Sequence, residues 1–141
     1  MSSSGPISPE RPSYVSASEV RALLRRGASY RVERLRAADM VSLKEAALLV
    51  GEPMSTVMRW VAAARCIGIP VQGQHMRLPR WQFDDDFLLW IGPIAAELRA
   101  TSGWTLLSFL ETPHGALCGR TPRQAVEQGD VELVMALAST T

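Results

Sequence analysis

The chain has 141 residues, 47% hydrophobic and 21% charged, which is ordinary for a soluble globular protein of one compact domain or two small ones. No apolar run reaches the roughly 18 residues that span a bilayer. The net charge of +1 hides an asymmetry: residues 1–83 carry 12 Lys/Arg against 6 Asp/Glu, and residues 84–141 carry 3 against 8. The front half can approach a polyanion that the back half would repel, unless both are simply solvated faces.

Residues 1–15, rich in Ser, Pro and Gly, read as a disordered arm, not a secretory signal, because no charged region precedes an apolar core. The two cysteines, Cys66 and Cys118, are too few for a disulfide framework. With nothing pointing to export, the expected location is the cytoplasm, with reduced thiols. Residues 16–39 are expected to form two basic helices available for dimerisation. The first starts at Ser16 or Ser18, carries Val20, Leu23 and Leu24, and ends at Gly27; the second covers 29–38 with Val32 and Leu35 inward.

Residues 40–83 read as a helix-turn-helix with a small β-wing. Ser42 and Glu45 have capping-box spacing, Leu43, Ala46, Ala47 and Val50 form an apolar stripe, and Gly51 closes a short helix. Ser55 is the expected cap of the next helix, whose inner face holds Val57, Trp60, Val61 and Ala64. Ser55, Thr56 and Arg59 then face outward, suited to a phosphate or a base edge, with Arg65 a candidate for the DNA backbone. IGIPVQGQHMRLP suggests two strands about Gln72-Gly73-Gln74, with Gln72, Gln74, His75 and Arg77 at or near the wing tip. The same pair of helices serves equally as a protein scaffold.

Residues 84–141 read as a helical bundle of about four short helices. Asp84-Asp85-Asp86 suits a solvated linker or helix start; it lacks the glycine and distant glutamate of a calcium loop. Pro93 fits the first turn of a helix running to about Arg99. Ser102 precedes an apolar helix with Trp104, Leu107, Phe109 and Leu110, broken by Thr112-Pro113. Thr121 caps the next helix with Pro122 at its first position, Gly129 ends it, and Asp130 caps a last helix with Val131, Val134, Met135 and Ala138 inward.

The chemistry-bearing residues do not assemble into a catalytic or metal pattern. His114 and Cys118 are four apart, a ligand spacing that needs a helix, which Pro113 and Gly115 disfavour; no further Cys or His pair completes four ligands. Cys118 is expected to be a buried apolar filler. Neither a nucleotide-phosphate glycine loop nor a third residue for Cys/His catalysis is present. The expectation is a non-enzyme without cofactor.

The segment VSLKEAALLVGEPMSTVMRWVAAARCIGIPVQGQHMRLPRWQF resembles the N-terminal helix-turn-helix region of some Xre/MbcA/ParS-type antitoxins. GWTLLSFLETPHGALCGRTPRQAVEQGDVELVMALAS resembles their toxin-binding domain, through Leu110 to Pro113, Leu117, Gly119, Pro122, Gly129 and the helix 131–138. The two segments cover about two-thirds of the chain. The chain departs from the pattern at His114, where the family often has a small polar residue, and at residues 66–79, which are closer to excisionase and MerR-type domains. The resemblance implies an antitoxin that covers the active site of a cognate RES-domain toxin, an enzyme consuming NAD or transferring parts of it. It further implies operator DNA as a second ligand, and a homo-oligomer within a hetero-oligomeric complex, with no membrane partner. His114, Arg120, Arg123, Glu132 and Met135 form the expected toxin-facing surface, and Ser55, Thr56, Arg59, Arg65, Gln74 and Arg77 the expected DNA-facing one. A MerR- or excisionase-like regulator acting alone is the alternative. Arg120 has a second reading as an anchor of its loop to neighbouring helix ends.

Overall fold

A reciprocal cap starts the first helix, α1 (Ala17–Arg36): the Ser16 hydroxyl accepts from the Glu19 N–H, and the Ser16 N–H donates to the Glu19 carboxylate at 3.0 Å. The computed structural model describes residues 16–71 and 76–141. The chain divides into two units, Met1–Ala37 and Ala38–Thr141. Two helices separated at Gly27 were expected in the first; instead α1 runs through Gly27 without a break. Glycine weakens a helix interior by about 1 kcal/mol, but the Leu, Ala and Arg residues on either side are strong helix formers, and Arg34 and Arg36 complement the C-terminal dipole. None of its residues is buried, so Val32 does not face a core as expected.

The second unit begins with a strand that the sequence did not announce, β1 (Met40–Ser42). Then come α2 (Leu43–Val50), α3 (Met54–Ala62), β2 (Ile69–Pro70) and β3 (Met76–Pro79). The sheet order is β1-β3-β2, both pairs antiparallel, with Val41 opposite Leu78 and Ile69 opposite Arg77. Ser42 and Glu45 form the expected capping box, and the Ser42 backbone N–H, followed by its hydroxyl, holds the Glu45 carboxyl below its usual range. Gly51 stops α2 in the left-handed conformation, φ 70°, which a side chain would resist. α3 starts one turn position earlier than expected, with Pro53 as its cap and Ser55 already inside. Ala64 lies past the helix end at φ 58°, off the inner face it was expected to share.

Val41, Leu43, Ala46, Ala47, Val57, Cys66 and Leu78 make the core of this layer, with Trp60 and Val61 packed against it. The small Ala46 and Ala47 let α2 approach its neighbours closely. A buried glutamine locks the connection to β2: the Gln82 side chain accepts from the Ile67 N–H and donates to the Ile67 carbonyl, both at 2.8 Å. In effect one side chain supplies a missing strand partner for buried backbone.

Four helices follow: α4 (Leu88–Leu98), α5 (Gly103–Glu111), α6 (Pro122–Glu127) and α7 (Val131–Thr140). The mainly helical class with a small sheet agrees with expectation. α4 begins five residues before Pro93, which sits inside it, not in its first turn. The carbonyl that Pro93 cannot pair belongs to Leu89, an exposed residue, so water can satisfy it. Ile91, Ile94, Leu106, Leu107, Leu110 and Val134 fill the interior. α5 starts where two glycines meet: a Cβ on Gly103 would lie directly on the Gly68 carbonyl oxygen. Among the described residues, no helix is long and apolar enough to cross a membrane.

Candidate interaction surfaces

The first surface is the outer face of α3. Ser55 and Arg59 are exposed there and Thr56 is half-buried, with an Arg59 Nη2 to Thr56 Oγ1 distance of 3.5 Å. Met58, Ala62 and Ala63 share the exposed side, so Arg59 is the one cation α3 itself presents. Arg65 is exposed but lies in a recess with Trp60, Leu88, Leu89, Gly92 and Pro93, against the start of α4. Arg77 is half-buried, and its Nη2 donates to the Met40 carbonyl at 3.2 Å, tying β3 to β1. Gln74, together with Gln72 and His75, lies outside the described residues. Thus Ser55, Thr56 and Arg59 come together, while Arg65 and Arg77 are engaged elsewhere.

The second surface is the loop from Thr112 to Thr121 with α6 and α7. The loop closes on itself: the His114 N–H donates to the Arg120 carbonyl at 3.1 Å, and the His114 carbonyl accepts from Leu117 and Gly119. Leu117 is buried beneath it. Gly119 at φ 83° turns the chain toward Thr121, whose hydroxyl caps α6 with Pro122 in its first turn. Arg120 crosses this turn. Its Nε donates to the Leu117 carbonyl at 2.9 Å, and its Nη1 reaches Gln128 and Asp130, each at 2.8 Å. The Asp130 carboxylate is therefore spent on Arg120, and α7 starts without the side-chain cap expected of it.

Arg123 is also occupied. Its Nε pairs with Glu127 at 3.0 Å, and its guanidinium lies 4.6 Å from the Trp81 ring centroid. The Trp81 Nε1 donates to Glu111 at 3.2 Å, and Phe87 meets the ring edge-on at 5.0 Å. The His114 ring packs on Phe109 with centroids 5.5 Å apart, and its Nε2 is buried with no hydrogen-bond partner in the protein. Glu132 points to solvent and Met135 is half-buried. Of the five residues expected to face a toxin, Glu132 alone is fully exposed; Arg120 and Arg123 hold the scaffold together.

Cys118 is exposed, contrary to the expected buried filler. It ends a 3-10 turn at φ 59°, a geometry that turns its side chain away from the core that Leu117 enters. It shares no hydrogen bond with His114. Cys66 is the buried thiol, and burial pushes its pKa up to about 12. Among the described residues, no group of three or more His, Cys, Asp or Glu is arranged to hold a metal ion. An open recess of ≈ 560 Å³ beside Val61, Gly68, Ser102 and Leu106 is lined by small, uncharged residues, which offer no acid, base or phosphate clamp. The chemistry available on both surfaces is binding chemistry.

Sequence reasoning missed the outer face of α4. Leu89 is 71% and Trp90 39% exposed, and Pro93 and Ala96 are exposed beside them. The signal was legible in LLWIGPIAAEL, which is apolar on every side. No protein-family model, curated protein or solved structure matches the chain.

Proposed function

We propose that the protein is an antitoxin that binds a cognate RES-domain toxin through residues 84–141 and neutralises it by covering the active site. The observation carrying this reading is that every motif residue of the resemblance has a job in one preorganised loop. Leu117 anchors it, Gly119 and Gly129 take left-handed φ of 83° and 91°, Pro122 opens α6, and Arg120 bridges the turn. A loop already held by such contacts loses little conformational entropy on docking, which favours tight binding by a small surface. Glu132 and the exposed Leu133 beside it on α7 extend that surface. The test is co-expression with the product of the adjacent gene, reading growth rescue and co-purification together. A toxic neighbour that this chain neither rescues nor binds would end the antitoxin reading.

A second reading, a DNA-binding regulator, is favoured by the β1-β3-β2 order with α2 and α3 ahead of the β2–β3 pair, the arrangement of a helix-turn-helix with a wing. Ser55, Thr56 and Arg59 would meet the groove. Operator affinity that falls steeply with salt, in the absence of any protein partner, supports that role. The two roles are compatible in one molecule that represses its own operon.

A further inference from the structure

We infer that the outer face of α4 is the docking site for helix α1 of a second copy of this chain. The inference goes beyond the antitoxin reading and does not depend on it. Two surfaces lack a protein partner. On α4, Leu89, Trp90, Pro93 and Ala96 expose one side of a helix that has no polar face except Glu97. A helix apolar all round is stable in water when all its sides are covered. On α1, Val20, Leu23 and Leu24 line one side at helical spacing, and each is more than two-fifths exposed, Leu24 reaching 68%.

Their charges are complementary. α1 carries Arg21, Arg25, Arg26, Arg31, Arg34 and Arg36 against Glu19 and Glu33. Two such helices side by side would repel, which argues against α1 pairing with its own copy. Trp90 shares a recess with Asp84, Asp85 and Glu127, and Asp86 adjoins them. Asp84, Asp85 and Asp86 form no ion pair among the described residues, and Asp85 and Asp86 hold left-handed φ of 44° and 55°. Three adjacent carboxylates without cations beside an exposed tryptophan form a rim that an arginine-flanked apolar stripe fits. The occupant is thus an amphipathic, arginine-rich helix, and the chain supplies one. Exchange of α1 between two copies uses both sites twice and closes a symmetric dimer.

The full-length chain is examined by sedimentation velocity across a concentration series, with Leu89→Arg, with Leu23→Glu/Leu24→Glu, and with an equimolar mixture of the two variants. All substituted positions are exposed, and circular dichroism checks that each variant is folded. The wild type is expected to dimerise, and less so at higher salt. Each variant alone should weaken association by at least about tenfold, the effect of losing one well-buried leucine. The mixture should regain dimer, because one intact α1 and one intact α4 face remain per pair. A monomeric wild type overturns the inference. So does a dimer weakened by one variant but not the other, which would mean that α1 or α4 pairs with its own copy. A mixture no better than its components overturns it as well.

Discussion

Replacing Arg120 by alanine removes three hydrogen bonds at 2.8–2.9 Å that tie the Leu117 carbonyl, Gln128 and Asp130 to one guanidinium. Buried charge-assisted bonds are worth roughly 1.5–3 kcal/mol each, but these are partly wet: the Arg120 side chain is 25% exposed and Asp130 44%. Gln128 and Asp130 can return to water, and the Leu117 carbonyl keeps the Arg120 backbone N–H at 3.2 Å. A discounted total of about 2 kcal/mol is expected, which lowers the melting temperature by roughly 10 °C. Thermal and urea unfolding followed by circular dichroism measure it. Arg120→Lys should recover less than half of the loss, because an ammonium cannot span all three acceptors as the planar fork does. A double-mutant cycle with Asp130→Ala should show coupling of at least about 0.5 kcal/mol. Wild-type stability in Arg120→Ala, or full rescue by lysine, would refute the clamp.

Three further outcomes follow from packing. Gly103→Ala drives a Cβ into the Gly68 backbone, and should cost about 2 kcal/mol in urea unfolding; no loss would show that the two segments separate freely. Gln82→Leu leaves the Ile67 N–H and carbonyl buried without their partner, and about 2–4 kcal/mol should be lost, whereas a surface glutamine would be neutral. Maleimide labelling of the native protein near pH 8 should modify one thiol, Cys118, since Cys66 is buried with its pKa at about 12; rapid labelling of both before denaturation would contradict the buried core position.

What the sequence announced was mostly local. Ser42 with Glu45, Gly51, Ser102, and Thr121 with Pro122 and Gly129 each act within a few residues, so their spacing carries their role. What it concealed was nonlocal. β1 is three residues long and exists because β3, almost forty residues on, pairs with it. Gln82 looks like any polar residue until Ile67 is beside it. Gly27 has the chemistry of both a stop and a tolerated interior residue, and the capped start and basic end of α1 decided for the latter. At the candidate surfaces, residue type misled more than position. Arg120 and Arg123 read as free cations because Gln128, Asp130 and Trp81 come close to them only through the turn and the fold.

His114 is the residue in the loop whose chemistry the fold does not use. Its backbone closes the turn, a task any residue can perform, while its Nε2 is buried without a hydrogen-bond partner in the protein. Its ring rests on Phe109, a contact that needs no nitrogen. Burying a polar atom in this way costs roughly 1–3 kcal/mol relative to an apolar ring of similar shape. His114→Phe should therefore leave thermal stability unchanged or raise it by up to about 1 kcal/mol, read from the urea midpoint. Residues that cost stability are commonly retained for function. If the loop is the docking surface, the same variant should bind the partner at least about tenfold more weakly, a deficit near 1.4 kcal/mol by titration calorimetry. Stability and binding then move in opposite directions, which separates a contact residue from Arg120, where both should fall together. A marked destabilisation of His114→Phe would show that the imidazole is structural, and equal binding would remove His114 from the surface.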